Sequence, residues 1–228
     1  MKVKGDLEKL LESIDWRMSG PEIEAESFRW IEDGLAAWRE KVPPEIFKIG
    51  RRLVHTTADF SIVDDLVWQG DPVAAGLDAL GDHAPIYCDA TMIRSGLSEA
   101  RLQSVNPAYA KAEDVCCLVA DPEVAAAARK RGQARSLVAL EKALEIIDGG
   151  IVLIGNAPLA LAGIIRLFAE QGIRPRLVIG MPVGFVHVVE SKELLMATEI
   201  PHLAIRGRRG GSAMAVATLH AIIESFAG

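Results

Sequence analysis

The chain has 228 residues, half of them hydrophobic and a quarter charged, which is the profile of a globular protein with material for one large or two small cores. A formal net charge of -6 argues against a nucleic-acid partner, because phosphate binding is driven by basic surface. Apolar runs are broken by Gly, Pro or His and are too short to span a bilayer, no secretion-signal core is visible, and the three cysteines lack CxxC spacing, so a cytoplasmic location without membrane contact is expected.

In chain order, "MKVKGDLEKLLESIDW" is amphipathic and acidic. "EIEAESFRWIEDGLAAW" and "PEIFKIGRRLVHTTADFSIVDDLVW" have helical apolar spacing, which predicts a helical N-terminal portion through the first 80 residues, without a strand. From Pro85 onward short apolar runs alternate with helix-length segments. The strand candidates are "PIYCD", "DVCCLVA", "GIVLIG", "RLVIGM" and "HLAIRG", whose consecutive apolar residues suit a parallel sheet covered on both faces. Helices between them have readable ends: "DPEVAAAARKRG" stops at Gly132, "NAPLALAGIIRLFAEQG" at Gly172, and the last opens with Ser212 as N-cap. No linker divides the chain, so 1–228 is expected to form one α/β domain.

Ligands of an open parallel sheet settle at the carboxyl ends of its strands, which singles out "CDATM", "VADPE", "GNAPLA", "MPVGFVHVVESK" and "RGRRGGSA". The last places Arg206, Arg208 and Arg209 among three glycines before a helix, a setting for an anionic ligand, with a turn of solvated arginines as the alternative. There is no Walker sequence, GxGxxG fingerprint, nucleophile elbow or HExxH. His202 and His220 fall in apolar patterns and read as structural; His83 lies in a turn. His55, in "RRLVHTTADF", has Asp59 one turn along if the helix continues, a setting suited to proton transfer, although a packed helical histidine fits the spacing equally. His187 stands in the loop after a strand.

Together, "ESFRWI", "RRLVHTTADF", "IYCDATMIRSGL", "IGNAPLAL", "GMPVGFVHVVESKELL" and "GRRGGSAMA" resemble, in order and over nearly the whole chain, the precorrin-8X and cobalt-precorrin-8 methylmutase family of corrin biosynthesis. The resemblance implies a three-layer α/β fold, a homodimer, and an isomerase that moves a methyl group from C11 to C12 of a tetrapyrrole, with no cofactor and no protein-bound metal. It implies that His55 is the catalytic acid, donating a proton to the ring C nitrogen. It further implies that Ser27, Arg135, Arg206, Arg208 and Arg209 meet the substrate and its carboxylates, with backbone amides of "GNAP" and of "PVGF", at Gly184, as further donors. "HTTADF" looks like the cobalt-containing branch.

Relatives usually carry "PVGFVGAAESK" where this chain has "PVGFVHVVESK", and residues 1–20 match the family weakly. Two other readings keep the fold: a non-catalytic corrinoid carrier, and a nucleotide-dependent α/β enzyme using "GRRGG" as its phosphate loop.

Overall fold

The structure, a computed structural model, describes residues 2–226, with side chains over 7–226; Met1, Ala227 and Gly228 lie outside the described residues. Six strands form one sheet: β1 (Leu66–Gln69), β2 (Ile86–Cys88), β3 (Val115–Cys116), β4 (Ile151–Ile154), β5 (Leu177–Gly180) and β6 (His202–Ile205). Their order is β1-β6-β5-β4-β2-β3, parallel throughout except for the antiparallel pairing of β1 with β6.

The consecutive apolar residues of β4, β5 and β6 are explained by what lies on each side of them. Successive side chains of a strand point to opposite faces. Ile151, Leu153, Leu177, Ile179, Leu203 and Ile205 join one core with the helices Pro44–Thr57, Pro72–Gly81 and Ser212–Phe226. Val152, Ile154, Val178 and Ala204 join a second core with Arg135–Lys142, Pro158–Gln171 and Val188–Met196. The result is the expected three layers, with a mainly parallel sheet between helices.

Helix ends follow the expected chemistry. Gly132 and Gly172 adopt the left-handed conformation that closes Pro122–Arg131 and Pro158–Gln171. Ser212 is the first residue of its helix rather than the cap before it.

One expectation fails: the first 80 residues contain a strand. After the 3-10 turn Phe60–Asp65, "LVWQ" runs along the sheet edge, with Leu66 opposite Ile205 and Gln69 opposite His202. Four residues are too few to show an alternating pattern, and pairing with β6 decides their state.

Since β3 and β4 lie on opposite sides of β2, the chain reverses its direction of travel across the sheet there. The carboxyl end of β2 is therefore the topological switch point, where open α/β sheets place ligands. Among the described residues no helix is long and apolar enough to cross a membrane.

Candidate active site

His55 belongs to the last turn of Pro44–Thr57, a helix laid against Ser212–Phe226. Arg52 pairs with Glu224 near the end of the latter, whereas His55 lies beside Ser212, Ala213 and Val216 near its start, so the two helices run in opposite directions. That packing carries His55 to the carboxyl edge of the sheet. Ala58, at φ 53°, then stops the helix. Asp59 consequently does not lie one turn below His55; it caps the following 3-10 turn through the Ser61 amide and pairs with Arg209.

Phe28 from "ESFRWI" packs against the His55 ring, with centroids 5.0 Å apart, and itself lies under the Arg51 and Arg52 guanidiniums at 4.3 and 4.8 Å. Two sequence motifs thus meet at this imidazole. Cavities open on both sides of it. One, of about 480 Å³, is walled by Glu26, Ser27, Trp30, Val54, Ala58 and Phe60. The other, of about 370 Å³, is walled by Arg52, Thr56, Met92, Ser212, Val216 and His220. Trp30 and Met92 leave roughly seven-tenths of their surface to solvent (72% and 71%), an arrangement suited to a large, flat, partly apolar ligand.

The loops of the carboxyl edge are tied together by two buried charges that sequence reasoning passed over. Asp89, directly after β2, accepts hydrogen bonds from the amides of Gly155, Asn156 and Ala157 at 2.9, 2.9 and 2.5 Å. Burial raises its pKa and these three bonds oppose the rise. The amides of "GNAP" are therefore engaged by Asp89, and the expectation that they are donors for a ligand is not met. Lys192, 1% exposed, donates to the carbonyls of Gly207 and Arg209 at 2.9 and 2.6 Å; burial lowers its pKa to about 8.

Two signals could have revealed these groups. Lys192 shares the helix face of Val188, Ser191 and Leu195, an anomalous position for a lysine, and Asp89 immediately follows a wholly apolar strand.

Close backbone approach completes the edge. A Cβ on Gly210 would lie 2.3 Å from the Met181 carbonyl oxygen, and one on Gly155 would lie 2.7 Å from the Ser212 Cα. Gly210 of "GRRGG" and Gly155 of "IGN" thus serve packing of loop on loop.

The candidate residues are distributed as follows. Ser27 shares the larger cavity with His55, and its hydroxyl donates to the Ile23 carbonyl at 2.8 Å. Arg209 is committed: it binds Asp59 and Ser61 at 2.6 and 2.8 Å and also pairs with Asp65, clasping its loop to the segment after His55. Arg206 and Arg208 are exposed, and among the described residues their side chains have no ion pair; neither lines the two cavities beside His55, and Arg206 instead borders a groove with Trp68 and Met196. The Gly184 amide, expected as a donor, is given to the Arg208 carbonyl at 3.3 Å. Arg135 is exposed at the start of a helix in the other layer and lines neither cavity beside His55.

His187 is exposed and left-handed, at φ 60°, ahead of helix Val188–Met196. His202 is buried on the Ile200 carbonyl, while His83 meets Asp114. Among the described residues no three His, Cys, Asp or Glu side chains form a group that could hold a metal ion.

Comparison with known proteins adds the following. A family model described as precorrin-8X methylmutase matches residues 22–225. A Pseudomonas aeruginosa precorrin-8X methylmutase is 38% identical over 92% of this chain and 97% of its own length. A Leptospira interrogans cobalt-precorrin-8 methylmutase is 35% identical over 90% and 93%. The solved precorrin-8X methylmutase from Thermus thermophilus superposes with a TM-score of 0.79 at 39% identity, covering 90% of this chain and 95% of that one.

Proposed function

The chain belongs to the precorrin-8X methylmutase family, and from that premise we propose how its residues carry out the methyl shift of cobalamin biosynthesis. As an isomerase of this family it moves a methyl group within a single tetrapyrrole, from C11 to C12. In our reading the macrocycle lies across the His55 ring, with one part against Ser27, Trp30 and Phe60 and another against Met92 and the start of helix Ser212–Phe226. The observation that carries this reading is the position of His55, which is exposed between two cavities at the carboxyl edge.

His55 gives a proton to the ring C nitrogen. Protonation withdraws electron density from the conjugated ring and eases migration of the methyl group, after which the proton returns. The migration itself needs no nucleophile, so the protein's remaining work is to fix the reactive geometry. Arg206 and Arg208 meet carboxylates that extend beyond the two cavities, a role supported by the lack of any ion pair to their guanidiniums among the described residues, whereas Arg209 holds the loop in place. Arg135 enters only if a second copy brings its surface to the site. A homodimer remains part of the reading, supported by the exposure of Phe185, at 87%, and Val186 on the loop after β5. So does a cytoplasmic location. We assign the substrate to the cobalt branch on "HTTADF", the cobalt arriving inside the tetrapyrrole.

Incubation with precorrin-8X and with cobalt-precorrin-8, followed by absorbance, tests the proposal. Conversion to the corrin chromophore is the expected result, faster with the cobalt form. Tight binding without a chromophore change would instead mark a carrier, and stabilisation by ATP or NAD but not by corrinoids a nucleotide-dependent enzyme.

A further inference from the structure

His220 shares the smaller cavity with His55 but is held quite differently. The Ser98 backbone N–H donates to its Nε2 at 3.1 Å. An amide nitrogen has a proton to give and no lone pair to offer, so Nε2 must be the unprotonated nitrogen and the ring proton resides on Nδ1. Among the described residues Nδ1 has no hydrogen-bond partner, and it is not among the side-chain atoms sealed from solvent without one. Arg52 faces the ring from helix Pro44–Thr57, with Arg101 and Lys111 from neighbouring elements and Glu224 from its own helix. Burial, reinforced by Arg101 and Arg52, lowers its pKa to about 4, so it stays neutral at physiological pH.

A neutral ring of fixed tautomer in a ligand cavity is a hydrogen-bond donor rather than an acid. We propose that His220 is a substrate-binding residue, whose Nδ1–H donates to a carboxylate oxygen of the bound corrinoid beside His55. This rests on the reading that a corrinoid occupies the cavity. The two histidines then divide the work: His55 transfers a proton, while His220 holds one side of the macrocycle still.

Two substitutions separate this role from mere support of Ser98. His220→Gln places an acceptor oxygen near the Nε2 position, where it can still serve Ser98, but offers nothing at Nδ1. His220→Asn does the reverse. With cobyrinic acid as the probe, titrated into the full-length protein, His220→Gln should raise Kd roughly five- to tenfold with little change in Tm. His220→Asn should lower Tm and hold Kd within about twofold. Unchanged affinity in His220→Gln, or greater weakening in His220→Asn, would overturn the assignment, as would a nitrogen-15 spectrum showing the proton on Nε2. If the unaltered protein fails to bind cobyrinic acid, occupancy of the cavity is refuted and this assignment falls with it.

Discussion

A left-handed backbone costs an L-residue about 1–2 kcal/mol, yet His187 adopts φ 60° at the position where the family pattern that the sequence resembles usually has glycine. The position favours glycine for backbone reasons, which accounts for the difference without giving the imidazole a chemical role. His187→Gly should be neutral to about 1 kcal/mol stabilising in denaturant unfolding, the strain relieved being partly offset by a freer unfolded chain, and it should retain full turnover. Lost turnover would give His187 the chemistry assigned to His55. The arginines divide in the same manner. Arg209→Ala breaks contacts to Asp59, Ser61 and Asp65 and should lower Tm, whereas Arg208→Ala should leave Tm unchanged and weaken corrinoid binding. Equal effects of the two on Tm would contradict the distinction. The arginine cluster was legible in the sequence, but which member is committed to Asp59 and Asp65 was not, because those partners are about 150 and 144 residues away.

At the scale of elements, the glycine loop after β6 depends on two things, close contact and one buried amine. Gly210→Ala would drive a methyl group into the Met181 carbonyl and should destabilise the fold by about 1–3 kcal/mol, measured by denaturant unfolding. Lys192 gives the loop a pH dependence. Its folded pKa is about 8 against an ordinary value of 10.5, so between those values the unfolded chain holds the proton more tightly than the folded one. Stability from this group therefore rises as pH increases through that window. Unfolding midpoints taken from pH 7 to 10.5 should show that upward contribution in the unaltered protein and lack it in Lys192→Met. A variant whose profile still rose equally would refute the role. β4, β5 and β6 were readable as apolar runs because both their faces are covered. β1 was not, since its place is fixed by pairing with β6 and not by its own four residues.

For the whole molecule, the topology explains why distant motifs converge. The reversal of strand order at β2 opens a crevice at the carboxyl edge, and the opposed packing of Pro44–Thr57 on Ser212–Phe226 brings His55 to it. Sequence order gave the layers and the loops of that edge; it could not show that the helix stops at Ala58, which separates His55 from Asp59. Nor could it show that Asp89 occupies the amides of "GNAP". The central claim is that His55 supplies a proton and does not anchor the substrate. Single-turnover absorbance with His55→Ala, run beside a cobyrinic acid titration of the same variant, tests this most directly. If His55 is the proton donor, the methyl shift is slowed by at least about 100-fold with Kd within about threefold of the unaltered protein. An unimpaired rate, or a rate loss explained entirely by lost binding, would contradict it.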